Sequence, residues 1–160
     1  MDIRSLKPSD RQWSDAIVGE HFGSTLVVSR ERSHDASKLP GLIAMQDGLP
    51  VGLLLFRIDA GGCEVVVLVV ERPRQGIGTA LLESVLETAR SAGCPRVWLV
   101  TTNDNAVAQS FYGALGWLLV SVHRGAVTRA RLLKPEIPWQ GANGSAIEDE
   151  LEYEFRLGRV

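Results

Sequence analysis

The segment Arg72-Pro73-Arg74-Gln75-Gly76-Ile77-Gly78-Thr79 lies between an apolar run and a helically periodic stretch. Its residue types suit one task, the holding of phosphate groups. Val65 to Val70 reads as a buried strand. Gly76 and Gly78 let backbone come close to a ligand, and the helix that begins there turns free N–H groups towards an anion. Arg72 and Arg74 add positive charge.

Three uses of such a turn compete. A dinucleotide fingerprint needs G-x-G-x-x-G, but Leu81 holds the third glycine position, and the meander ahead of the turn does not suit a doubly wound sheet. A P-loop ends in Gly-Lys-Ser or Gly-Lys-Thr, and Gly78-Thr79 has no lysine before the threonine. A tight strand-to-helix turn that merely uses glycine stays open on these residues alone.

The elements that must position this turn belong to a chain of 160 residues, 45% of them hydrophobic, which is ample for a single domain spanning 1–160. Lys and Arg number 17 against 19 Asp and Glu, a formal charge of −2, so no general affinity for nucleic acid is expected. No apolar stretch is long enough to span a bilayer, and Met1-Asp2-Ile3-Arg4 lacks the apolar core of a signal peptide. The expectation is a cytoplasmic protein with neither nucleic acid nor membrane as partner. Cys63 and Cys94 have no CxxC spacing and read as reduced, partly buried thiols. His21, His34 and His123 are scattered and read as surface or strand-end residues, so no metal site is expected.

Asp2 to Leu6 reads as a first strand, and Pro8-Ser9-Asp10 starts a helix running to about His21. Ser24 to Leu39 reads as a strand followed by a loop. Leu42 to Gln46, Val51 to Ile58 and Glu64 to Val70, joined by Asp47-Gly48-Leu49-Pro50 and Gly61-Gly62, make an antiparallel meander. Ile77, Leu81, Leu82, Val85, Leu86 and Ala89 then recur at helical spacing, and Arg96 to Thr102 follows as a strand parallel to the one before the helix. Asn103-Asp104-Asn105 caps a helix to Leu115, Trp117 to His123 returns as a strand, and Ala126 to Leu133 forms a short helix. After a proline and glycine loop carrying Trp139, Ile147 to Leu157 is a half-buried last strand. Its Glu148, Glu150, Glu152 and Glu154 share one face, read as a solvated edge near Arg129 or Arg131 or as an attraction for a cationic amine. The fold class is α/β, α+β-like: a mixed, mostly antiparallel central sheet of about six to seven strands, flanked by helices, with one parallel splayed pair.

The basic turn with Gly76-Ile77-Gly78-Thr79-Ala80-Leu81-Leu82, then Thr101-Thr102-Asn103-Asp104-Asn105-Ala106, then Phe111-Tyr112-Gly113-Ala114-Leu115-Gly116-Trp117 resemble, in order and spacing, the GCN5-related N-acetyltransferases. The resemblance is sharpest from Glu64 to about His123. It departs at Pro73, where relatives carry Arg or Gln, and the turn is about two residues shorter than usual. Proline has no N–H to offer a phosphate, so Arg74 and Gln75 are the residues that would compensate. Gly116-Trp117 replaces the usual Gly-Phe.

The resemblance implies acetyl-CoA as cosubstrate, with its pyrophosphate on Arg74, Gln75, Gly76, Ile77, Gly78 and Thr79. The backbone of Leu68, Val69 and Val70 would pair with the pantetheine arm, and Asn103, Asn105 and Ala108 would add contacts at the next helix. Tyr112 matches the family tyrosine near the CoA sulfur, a general acid, and Glu64 stands where many relatives carry the base that relieves the amine of its proton. The implied reaction is direct acetyl transfer to a primary amine of a small molecule, peptide or protein, without a metal. A non-catalytic acyl-CoA-binding or regulatory module of the same fold is the alternative, with Pro73 as its local hint and Tyr112 and Glu64 against it. Family habit also suggests a homodimer through the C-terminal strand.

Overall fold

The computed structural model describes residues 1–158. The chain runs β1 (Asp2–Ser5), α1 (Arg11–Phe22), β2 (Leu26–Ser29), β3 (Arg32–Asp35), β4 (Gly41–Gln46), β5 (Leu49–Asp59), β6 (Gly62–Val70), α2 (Ile77–Ser91), β7 (Arg96–Thr102), α3 (Ala106–Ala114), β8 (Leu118–His123), α4 (Ala126–Ala130) and β9 (Glu150–Arg156). Seven strands hydrogen-bond in the order β1-β4-β5-β6-β7-β9-β8, while β2 and β3 pair separately. The sheet is mixed and mostly antiparallel, with one parallel pair.

The chain divides into two compact units. The first comprises Met1–Val27 and Asp35–Val97, with the chain end from Arg156. Its meander pairs β1 with β4, β4 with β5 and β5 with β6, all antiparallel. Side chains alternate across it. Leu53, Leu55, Val67 and Val69 bury one face against Ile17 and Val18 of α1. On the opposite face, Gly52 lies against Ile77 and Leu81 of α2, whose stripe of Ile77, Leu81, Leu82, Val85, Leu86 and Ala89 is wholly buried. Each such leucine or valine contributes about 1.5–3 kcal/mol by leaving water, so these two stripes hold α1 and α2 in place.

The second unit comprises Val28–His34 and Trp98–Phe155. There β8 pairs antiparallel with β9, and Tyr112 packs against Phe111, Trp117 and Tyr153 at ring separations of 5.4, 6.0 and 5.7 Å. Tilted rings at these spacings are favourable beyond their burial alone.

Three expectations are corrected. The segment read as strand then loop is the hairpin β2–β3, because Arg30 and Glu31 take φ of 50° and 60° at its tip, a turn usually announced by Asn or Gly. The last strand is no edge: β9 lies between β7 and β8, so Glu150, Glu152 and Glu154 are buried, and Glu148 falls outside the strand. The short helix stops at Ala130 instead of Leu133.

Candidate functional site

At the head of α2, Pro73 is followed by Arg74 at φ 65°, the pairing of a proline with a left-handed residue that a type II turn requires. Gly76, the N-cap of α2, is left-handed at φ 75°. The first intrahelical bond runs from the N–H of Ala80 to the carbonyl of Gly76 at 3.0 Å. The amides of Ile77, Gly78 and Thr79 therefore precede the helical ladder, and Gly76 brings no side chain to cap them. Arg74 and Gln75 are exposed beside them. Three free amides at the positive end of a 15-residue helix, with an arginine at the mouth, fit a diphosphate. Arg72 is held aside, donating to Gln46 Oε1 at 2.9 Å.

Strand β6 leads into this turn and is not regular. Leu55 pairs with Val67 but Phe56 pairs with Val65, leaving Val66 as a bulge. Cross-strand partners share a face. Glu64, opposite Arg57, is thereby brought to the side of Leu53, Leu55, Val67 and Val69; without the extra residue it would point the other way. Its carboxylate is 2% exposed and accepts from Arg57 Nε at 2.9 Å, while Arg57 Nη1 reaches Asp59 at 2.7 Å. Burial is tolerated there because the charge is paired.

In the second unit, Asn105 caps α3, its side chain accepting from the N–H of Ala108 at 3.1 Å. Two of the expected cofactor residues are thus bonded to each other. The third, Asn103, uses its amide on the chain ahead of β9, donating to the carbonyl of Ala146 at 2.8 Å and accepting from the N–H groups of Glu148 and Asp149 at 2.9 and 3.0 Å. Tyr112 is 8% exposed, and burial pushes its hydroxyl up to about 12.

The expected site residues therefore fall in two sets. Glu64, Leu68, Val69, Val70 and Arg74 to Thr79 belong to the first unit, and Asn103, Asn105, Ala108 and Tyr112 to the second. Three features escaped the sequence: Gly52 beneath α2, the Val66 bulge, and Arg57 as partner of Glu64. Only Arg57 had a visible signal, its place across the Gly61-Gly62 hairpin from Glu64. His21 is exposed and His123 ends β8, as expected, whereas His34 departs from expectation. His34 is buried with its Nε2 2.8 Å from Ser29 Oγ, and His123 lies 2.9 Å from Glu152, which Arg30 also approaches at 3.7 Å. Cys63 and Cys94 are free and buried. Among the described residues no group of three or more His, Cys, Asp and Glu could hold a metal ion.

Residues 7–117 match the acetyltransferase (GNAT) family. The uncharacterised protein YdhI of Bacillus subtilis (strain 168) is 38% identical over 136 residues, 84% of this chain and 85% of that protein. Among solved structures, the ribosomal-protein-S18-alanine N-acetyltransferase of Escherichia coli superposes with a TM-score of 0.70 at 19% identity, covering 99% of this chain and 95% of its own. An aminoglycoside 6'-N-acetyltransferase complexed with coenzyme A also gives 0.70, at 18% identity, with coverage of 100% and 99%. At such identities the likeness is one of fold.

Proposed function

Because the chain belongs to the acetyltransferase (GNAT) family, we propose that it transfers an acetyl group from acetyl-CoA directly to a primary amine. The observation that carries this reading is the trio of free amides of Ile77, Gly78 and Thr79 behind the left-handed Gly76, an anion cradle in a family whose solved relatives include one with coenzyme A bound. Arg74 and Gln75 stand at its mouth in place of the donor that Pro73 lacks. The backbone of Leu68, Val69 and Val70, beyond the Val66 bulge, is assigned to the pantetheine arm. Asn105 and Ala108 serve by shaping the head of α3, and Asn103 by anchoring the chain ahead of β9.

The amine nitrogen attacks the thioester carbonyl, the C–S bond breaks, and one proton must leave the nitrogen while the sulfur departs as thiolate. Glu64 takes the amine proton, directly or through water, and Arg57 keeps its carboxylate oriented. Tyr112 donates a hydrogen bond to the departing sulfur. With its hydroxyl at about 12 against about 8.5 for a thiol, complete transfer is uphill, so Tyr112 stabilises the thiolate and solvent supplies the proton. The products are the amide, CoA and the proton first carried by the amine.

The assignment of 1–160 to one such domain, in a cytoplasmic setting, is part of the proposal; the family match spans residues of both units. The homodimer expected through the C-terminal strand is moved to β8, because β9 lies between β7 and β8 while the outer β8 exposes Leu118, Leu119, Val120 and Val122. Calorimetry with acetyl-CoA, followed by thiol release over a panel of small amines and peptide N-termini, tests the reading. Binding with release on at least one amine is expected. Binding without release on any would favour the non-catalytic module, and absence of binding would sink both.

A further inference from the structure

Arg131, directly after α4, is a buried guanidinium whose hydrogen bonds all go to main-chain carbonyls. Its Nε donates to Ile137 O at 3.3 Å, and its Nη2 donates to Pro138 O at 2.7 Å and Ile147 O at 2.8 Å. The residue is 7% exposed, and its Nη1 has no hydrogen-bond partner among the described residues. A buried donor left without an acceptor is unfavourable, because it has given up its hydrogen bonds to water without replacement. Such groups are few in folded proteins and call for a reason. Immediately over the guanidinium lies Trp139, with Arg131 Cζ 4.0 Å from its ring centroid. The indole is 68% exposed, unusual for so large an apolar surface. Lys134, also buried, adds a second positive charge three residues along the chain, with the exposed Glu136 beside it.

One arrangement accounts for both the orphan donor and the exposed ring. We propose that Arg131 and Trp139 form a binding site for a carboxylate group of a small ligand, received by Nη1 when Trp139 lifts from the guanidinium. Arginine suits this role because its charge is permanent and its N–H groups lie in one plane with fixed directions matched to a carboxylate. The three carbonyl bonds on Nε and Nη2 hold the plane rigid, leaving the Nη1 edge as the only one to be satisfied from outside. The indole face lies over the cation in a cation–π contact weak enough to be exchanged for a charged hydrogen bond. The site is independent of acetyl transfer, since neither residue belongs to the glycine turn or to the pair Glu64 and Tyr112.

The test is titration of the full-length protein with succinate, with inorganic phosphate and with CoA, at constant ionic strength, read by tryptophan emission and by calorimetry. Succinate is expected to give a saturable change in emission that vanishes in Trp139→Phe while calorimetric binding persists. Arg131→Lys is expected to raise the succinate Kd by about tenfold or more. Trp139→Ala keeps every hydrogen bond of Arg131 and is expected to speed succinate association in stopped flow, which decides the matter if Arg131→Lys does not fold. No saturable response to succinate overturns the site, as does an unchanged Kd in folded Arg131→Lys. Phosphate binding as tightly as succinate overturns the carboxylate assignment. Competition between CoA and succinate overturns independence from the cosubstrate.

Discussion

Gly52 and Ile77 touch so closely that a Cβ on the glycine would stand 2.7 Å from Ile77 Cγ2 and 3.0 Å from Leu81 Cδ1. β5 thus passes under the first turn of α2 at a separation that only a hydrogen side chain permits, and this sets where the amides of Ile77 to Thr79 point. Gly52→Ala is expected to lower stability by about 1–3 kcal/mol and to weaken CoA binding, because the helix head must shift. Gly19→Ala, in α1 with open space around it and an ordinary φ, is the control. It should raise stability by about 0.5–1 kcal/mol and leave CoA affinity unchanged. Thermal denaturation and calorimetry read both effects.

Arg74 combines a charge with a left-handed backbone at φ 65°, and two substitutions separate these roles. Arg74→Ala removes the charge and keeps the strain, whereas Arg74→Gly removes both. If the charge serves the pyrophosphate, both variants weaken CoA binding and the loss shrinks as salt is raised. Only the glycine variant should keep or gain stability. Equal CoA affinity in all three proteins would remove Arg74 from the cradle.

Tyr112, raised to about 12 by burial, keeps its proton throughout the working range. Activity towards an alkylamine should therefore climb as the free amine appears, up to its pKa near ~10, with no falling limb from this residue below about pH 11. Tyr112→Phe should lower kcat by about 10²-fold with CoA affinity retained. Stability has the matching sign. Below about pH 10 the tyrosine is neutral in both states; above it the unfolded chain ionises first, and the fold loses stability as pH rises towards 12. An alkaline limb near pH 9 that disappears in Tyr112→Phe would contradict this assignment.

The Arg57–Glu64 pair gives two distinguishable effects. Glu64→Gln preserves shape and much of the hydrogen bonding, so it should fold, bind CoA and lose about 10²-fold or more in kcat/KM if the carboxylate is the base. Arg57→Leu leaves a 2% exposed carboxylate without its guanidinium, which should lower stability by about 1–3 kcal/mol. A Glu64→Gln enzyme of unchanged turnover would make the pair structural.

Much of the fold was legible in short-range pattern. The meander, the α2 stripe from Ile77 to Ala89 and the caps at Gly76 and Asn105 lie where spacing and turn chemistry put them. Where the pattern failed, a turn lacked its usual residues or a strand's neighbours were unknown. Arg30 and Glu31 at the β2–β3 tip are neither Asn nor Gly, so the hairpin was silent. The alternation of Glu150, Glu152 and Glu154 announced a strand but not its place in the sheet, and an inner strand buries what an edge would solvate.

The sequence singles out Gly76, Gly78 and Arg74 as a proposed cradle because a glycine turn carries its own backbone requirements, whereas the roles proposed for Tyr112 and Glu64 come from the family resemblance. Only the tertiary structure decided which way Glu64 points, since a single bulged residue at Val66 reverses the face of everything before it. It alone supplied Arg57 as the partner of that carboxylate and Gly52 as the floor beneath α2. It alone showed Arg131 buried beneath Trp139 with a donor unmet. These are relations between residues distant along the chain or set by loop packing, and hydrophobic periodicity encodes which face is buried, not what meets it there.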